Sequence, residues 1–151
     1  MYCCQYLSPV GRLSLVSDGI SLTEITIDGP VTAETGECAV LRQAQNWLDA
    51  YFGGVAQPPE MPLSPRGTEF QQRVWAYLQT IPFGSTCTYG EIAREIGCRS
   101  AQAVGQAVGA NPIAIMIPCH RCVGAGGKLT GYAWGIEKKE WLLSHERRNC
   151  I

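Results

Sequence analysis

A chain of 151 residues, 46% of them apolar, can bury a core without disulfides or a structural metal, as one domain or two small ones. No run of 18 apolar residues occurs, and "MYCCQYLSPVG" has neither the basic nor the long apolar stretch of a signal peptide, so no membrane span is expected and the protein is read as cytoplasmic. The net charge of −1 conceals an asymmetry: residues 1–60 carry two arginines against seven carboxylates (−5), and residues 61–151 carry ten Lys/Arg against six carboxylates (+4). The basic half suits a polyanionic partner or, equally, a solvated surface. Eight cysteines in a reducing compartment are expected to be buried thiols, metal ligands or a reactive group rather than a disulfide framework.

The first 29 residues predict a small antiparallel sheet, because "RLSLVS" and "SLTEITI" alternate apolar and polar positions between the turns "SPVG" and "SDG". Val40, Leu41, Ala44, Trp47, Leu48, Tyr51 and Phe52 then recur at helical spacing and stop at Gly53 and Gly54. "VAQPPEMPLSPRG", with four prolines, is read as a connection running over the surface, placing a strand-rich domain at 1–60 and a second domain at 61–151. The fold class expected is α/β, more narrowly α+β: a small sheet with one helix, followed by a mainly helical domain.

Thr68 and Gln71 form a capping box ahead of Phe70, Val74, Trp75, Leu78 and Ile81, an amphipathic helix that ends near "IPFG". "TYGEIAREIG" places Tyr89, Ile92, Ala93 and Ile96 on one helical face, and Ser100 can cap a second short helix, "SAQAVGQAVGAN". The tight glycine-containing turn between them fits a helix-turn-helix or a plain αα-hairpin. The second helix is rich in small residues (Ala101, Ala103, Gly105, Ala107, Gly109, Ala110), which weaken it but permit close approach to a neighbouring helix or a nucleic-acid groove. Five consecutive apolar residues, Ile113 to Ile117, read as a buried extended segment leading into "PCHRC". After the glycine-rich "VGAGGKLTGYAWG", a last helix is expected from Ile136 to "HE".

The chemistry concentrates at "IPCHRC". A redox Cys-x-x-Cys should open a helix inside a βαβ unit, whereas Cys122 leads into "VGAGG". A zinc site needs four ligands, and two cysteines with His120 supply too few at workable spacing. Two readings stay open: a buried structural thiol, or a nucleophile at Cys119. A cysteine thiol near pKa ~8.5 needs a base, and adjacent His120 can serve through a water or across a turn, with Glu146 as the orienting group if the last helix returns here and Arg121 adding positive charge.

The segments "GTEFQQRVWAYLQTIPFGSTCTYGEIAREIG", "AVGQAVGANP", "IPCHR" and "GYAWGIEKKEWLLSHE", in this order, closely resemble the O6-alkylguanine-DNA alkyltransferases, also called methylated-DNA-protein-cysteine methyltransferases. The resemblance is dense from Thr68 to Glu146. It implies direct reversal of DNA damage by irreversible transfer of an alkyl group from O6 of guanine to Cys119, one event per molecule, without cofactor or metal. His120 would deprotonate Cys119 through a water and Glu146 would orient His120. Asn111 would tie the DNA-binding helix to the active-site turn, and Tyr89 would protonate the departing guanine and crowd the phosphate behind it. Tyr132 would wall the base pocket, the backbone around Cys119, Cys122 and Ala133 would read the guanine edge, and Lys139 would support that loop. The partner implied is double-stranded DNA carrying the lesion, bound by a monomer through its minor groove with the base flipped out; Ser100, Ala101, Gln102, Ala103, Gly105 and Arg121 are the expected DNA-facing set.

Three departures stand out. Gln102 replaces the arginine that usually fills the gap left by the flipped base, Trp134 stands where glycine is common and is expected to narrow the pocket, and Cys122 replaces the usual valine and is read as a small apolar group behind Cys119. Some members bind zinc in the N-terminal unit; no histidine occurs there in this chain, so none is expected. The alternative function is that of the alkyltransferase-like proteins, which bind alkylated guanine without repairing it but lack the acceptor cysteine.

Overall fold

In the computed structural model, which describes residues 1–30 and 36–150, strands β1 (Tyr2–Ser8), β2 (Gly11–Ser17) and β3 (Leu22–Ile27) form an antiparallel sheet in that order. The alternation read in the sequence puts Leu13 opposite Ile27 and Leu15 opposite Ile25, so that the buried aliphatics pair across strands. Helix α1 (Ala39–Phe52) packs on all three strands with Val40, Leu41, Ala44, Trp47, Leu48 and Tyr51, and ends where Gly54 adopts a left-handed φ of 92°.

The proline-rich connection contributes more than a surface path. Met61 is buried, and Leu63 bridges Leu22 through Leu22 N–H to the Pro62 carbonyl (2.9 Å) and Ser64 N–H to the Leu22 carbonyl (2.9 Å). Ile113 makes the matching bridge to Ile25. Two short segments thus occupy the edge of β3, whose backbone groups would otherwise face water unpaired. The described residues divide into two compact units, Met1–Arg66 with Pro112–Ala114, and Gly67–Asn111 with the chain from Ile115 onward.

In the second unit, α2 (Glu69–Leu78) starts at the Thr68/Gln71 capping box, with both reciprocal hydrogen bonds formed. Helices α3 (Tyr89–Glu95) and α4 (Ala101–Gly109) follow, capped by Thr88 and Ser100, whose hydroxyls accept from Glu91 N–H and Ala103 N–H. Gly97, at φ 73°, makes the turn between them. Trp75, 1% exposed, donates its indole N–H to the Ala107 carbonyl at 2.8 Å, fixing α4 on α2. Helix α5 (Ile136–Asn149) closes the unit.

Residues 113–117 are buried as expected but not extended throughout. Only Ile113 pairs; residues 114–116 form a turn in which Ile115 holds φ 72°, an uncommon region for a β-branched residue. The cause is a cross-tie: Asn111 Nδ2 donates to the Ile117 carbonyl at 2.8 Å. Six extended residues would span about 20 Å, so that hydrogen bond requires the chain to fold back.

Candidate active site

Pro118 precedes a single 3-10 turn, Cys119–Arg121, and the chain continues into β5 (Cys122–Val123), which pairs in parallel with β4 (Cys87–Thr88). Three residues per turn send three successive side chains in three directions. Cys119 borders a cavity of about 260 Å³, whose other walls are Tyr89, Gly105, Val108 and Gly109 on one side and Thr130, Gly131, Tyr132 and Ala133 on the other. His120 and Arg121 both turn to Glu146 of α5.

The His120–Glu146 pair is fully interior. Nε2 lies 2.6 Å from Glu146 Oε2, and the side chains are 0% and 1% exposed. Burial alone would raise the Glu146 carboxyl, but the hydrogen bonds from His120 and Arg121 and the fixed charge of Arg121 outweigh it and hold it far below the usual carboxylate range. His120 is lowered as well: burial disfavours its charged form, with Arg121 and Lys139 adding repulsion, against the hydrogen bond and attraction of Glu146. The imidazole is therefore neutral at neutral pH. An ionised carboxylate only accepts, so Nε2 must carry the ring proton and Nδ1 must present a lone pair. Nδ1 is buried with no hydrogen-bond partner among the described residues.

Cys119, 3% exposed, is a thiol at rest, because burial pushes it up; hydrogen bonds from Asn111 and Tyr132 and the charge of Lys139 act against that and favour a thiolate once formed. Lys139 is 1% exposed, donates Nζ to the Gly131 carbonyl at 3.0 Å, and is itself lowered by burial. Tyr89 is raised by burial against a hydrogen bond with Thr130. Thiol, base, orienting carboxylate and a lining tyrosine on either side together make a site for nucleophilic attack by sulfur on a group held in the cavity.

Asn111, Tyr89, Tyr132 and Ala133 lie around Cys119, Asn111 by its hydrogen bond and the others as cavity walls, and Gly105, expected on the DNA-facing side of α4, lines the same cavity. Ala101 and Gln102 are exposed on α4, Ala103 is half-buried, and the Ser100 hydroxyl is engaged as the helix cap. Two expectations need correction. Trp134 does not border the cavity; it packs edge-on against Tyr132, centroids 5.3 Å apart, and so backs the wall instead of narrowing the space. Arg121 does not face outward: its side chain is 11% exposed, and its Nε and Nη2 bind Glu146 Oε1 and Oε2 at 2.8 and 3.0 Å, because the nearest anion is interior. Cys122, by contrast, is 0% exposed in β5, where it packs as the small apolar group expected behind Cys119, its thiol pushed up to about 12, chiefly by burial.

Sequence reasoning missed Thr130, Val108 and Gly109 as cavity walls and Gly84, whose N–H donates to Glu146 Oε1 at 3.2 Å. A backbone donor leaves no trace in side-chain chemistry, and the walls are brought together only by the fold.

Fold and site define a class: a cysteine group-transfer protein built on a helix-turn-helix. The pattern of the family described as "6-O-methylguanine DNA methyltransferase, DNA binding domain" matches residues 69–148, and the chain belongs to that family. The methylated-DNA-protein-cysteine methyltransferase of Mycolicibacterium paratuberculosis is 47% identical over 148 residues, covering 94% of this chain and 90% of its own length. That of Methanosarcina acetivorans is 44% identical over 153 residues, covering 97% and 98%. Mycobacterium tuberculosis OGT, in its crystal structure in complex with DNA, superposes with a TM-score of 0.91 at 44% identity, covering 99% of this chain and 94% of that one.

Proposed function

We propose that the protein repairs O6-alkylguanine in double-stranded DNA by moving the alkyl group, methyl in the simplest case, onto Cys119 Sγ. The observation that carries this reading is a cavity bordered by Cys119, whose neighbour in the same turn, His120, is bound through Nε2 to Glu146 and keeps a buried Nδ1 without a hydrogen-bond partner among the described residues. A cavity of about 260 Å³ is near the lower end of small-molecule sites, which run roughly 300–1,000 Å³, and suits one extruded base.

His120 Nδ1 takes the thiol proton through a bridging water. The sulfur then forms a bond to the alkyl carbon as the carbon–O6 bond breaks, and the electron pair leaves with the guanine. Tyr89 protonates the departing base, and the proton on His120 makes good the tyrosine, so the thiol proton in effect replaces the alkyl group on guanine. The thioether product has no acidic proton and no easy leaving group, so each molecule acts once. Asn111 keeps the turn beneath the thiol in place, and Lys139 supports the loop that carries Tyr132 and Ala133.

The small residues of α4 suit close approach to a minor groove, and Gln102 at its exposed start would occupy the space left by the flipped base. Extrusion costs a few kcal/mol, less for a mispaired lesion. The alternative, binding without repair, is disfavoured: Cys119 is present with a complete base behind it, and the relatives are named as methyltransferases. No described helix is long and apolar enough to cross a membrane, and we place the work of the protein, as a monomer, on DNA in the cytoplasm.

Titration against a duplex with one O6-methylguanine tests this reading. Lesion loss should plateau at one per protein molecule, and Cys119→Ser should remove none. Repeated turnover, or repair by Cys119→Ser, would contradict it.

A further inference from the structure

Arg121 reaches Glu146 through two nitrogens, Nε to Oε1 at 2.8 Å and Nη2 to Oε2 at 3.0 Å. Its third nitrogen, Nη1, donates to the Ile81 carbonyl at 2.7 Å, and its guanidinium carbon lies 5.8 Å from the centroid of the Phe83 ring. Gly84 of the same loop donates its N–H to Oε1. The carboxylate that orients His120 is therefore gripped on both oxygens by a cation which is itself anchored to the Ile81–Gly84 loop.

We infer that Arg121 is a positioning residue for alkyl transfer, holding Glu146 as a fixed, acceptor-only carboxylate so that His120 works as a neutral base with its Nδ1 lone pair exposed to the proton it takes. The inference rests on the alkyl-transfer reading of the site. A carboxylate 2.6 Å from a buried imidazole, left alone, stabilises the imidazolium, and an imidazolium cannot accept the thiol proton. A guanidinium stays protonated at any working pH and fits both oxygens of a carboxylate in one plane. It thereby holds Glu146 ionised and in one orientation, while its own charge opposes protonation of His120. A lysine would supply the charge without the two-point geometry.

The charged groups around His120 are few. Glu146 and Lys139 come from α5, and Arg121 and Cys119 from its own turn. The loop Ile81–Gly84 has no titratable side chain, and α2, also packed against the turn, buries only Val74, Trp75 and Leu78. With Arg121 removed, the balance at His120 shifts toward the attraction of Glu146.

The test is single-turnover methyl transfer from an O6-methylguanine duplex to Cys119, followed from acid to alkaline pH for the wild type, Arg121→Met and Arg121→Lys. Duplex affinity is measured in parallel at several salt concentrations. In Arg121→Met the maximal rate should fall about 10- to 100-fold, the loss seen when a group that orients a metal-bound histidine from outside is removed. The acid limb of its rate profile should move to higher pH, with duplex affinity and its salt slope unchanged. Arg121→Lys should restore the acid limb but not the full rate. A lowered rate with an unmoved acid limb would reduce Arg121 to a structural prop. A normal rate with weaker binding and a salt slope smaller by about 1 would make it a phosphate contact; either result overturns the inference. If Arg121→Met does not fold, wild-type rate in Arg121→Lys overturns it equally. Absence of transfer by the wild-type protein would contradict the proposed function instead.

Discussion

Replacing Glu146 by glutamine tests how the site makes its base. The carboxylate accepts from His120 Nε2, from Arg121 Nε and Nη2, and from Gly84 N–H. An amide offers one oxygen and one NH2, so whichever way it turns, the two donors facing its nitrogen lose their acceptor. With the NH2 toward His120, the ring must accept at Nε2 and carry its proton on Nδ1, the wrong atom for taking a proton from the thiol. Loss of the working tautomer in a comparable hydrolase relay costs about 10⁴ in rate, or about 5 kcal/mol of barrier. Breaking a buried ion pair by removing one partner costs a further 3–5 kcal/mol or so in stability, because Arg121 is left charged and uncompensated. Against a typical total of about 5–15 kcal/mol, that leaves a protein that still folds in the cold but melts early. The two losses separate in the double variant Arg121→Met/Glu146→Gln, where removing both charges should recover much of the urea midpoint and none of the rate. Rapid-quench transfer to Cys119 and urea unfolding, run on both variants, check this. A transfer rate within a few-fold of wild type in Glu146→Gln would refute the relay.

Stability should also depend on this carboxylate. Its folded-state pKa is held well below the unfolded value near ~4.3, so its contribution is complete above about pH 5 and is lost as pH falls further. The difference in urea midpoint between wild type and Glu146→Gln should shrink as the pH is lowered from about 6 to 3. Gln102→Arg, placing a longer, charged side chain at the exposed start of α4, should raise the single-turnover rate several-fold on duplex substrate and little on single strands. No gain on duplex would show that Gln102 does not limit flipping. Cys122→Val should leave the rate within about 2-fold of wild type and the melting temperature nearly unchanged, since Val is the same size class and Cys122 packs as an apolar group. Loss of activity in that variant would favour a thiol-disulfide role for the pair.

Periodicity and caps made most elements legible. The α1 face, the Thr68 capping box and the Ser100 cap are local signals, written within one or two turns of chain. What escaped was long-range or too short to have a period. Cys87–Thr88 and Cys122–Val123 pair over two residues each, a length at which alternation means nothing. Leu63 and Ile113 complete the edge of β3 from opposite sides of the sequence, out of segments read as a surface connection and a single buried run. Five apolar residues in a row give no phase, so the turn at Ile115 was invisible until Asn111 was seen bound to Ile117. In the site, Cys119 and His120 stood out as an adjacent thiol and base, whereas Glu146, 26 residues from His120, took its role from the family resemblance. Arg121 was misplaced because a basic residue in a basic half reads as surface until the fold brings an interior carboxylate to it. Trp134 was misplaced for the same reason: its size was evident, but which side of Tyr132 it would occupy was not.

The most direct test of the account is mass spectrometry of the protein, intact and as peptides, after incubation with a duplex carrying one O6-methylguanine. The peptide containing Cys119 should carry a single added methyl group, the peptides containing the other cysteines none, and the recovered DNA unmodified guanine. A protein of unchanged mass that nonetheless holds the lesion-bearing duplex selectively would contradict the account, and would make the chain a damage-binding protein with an idle thiol.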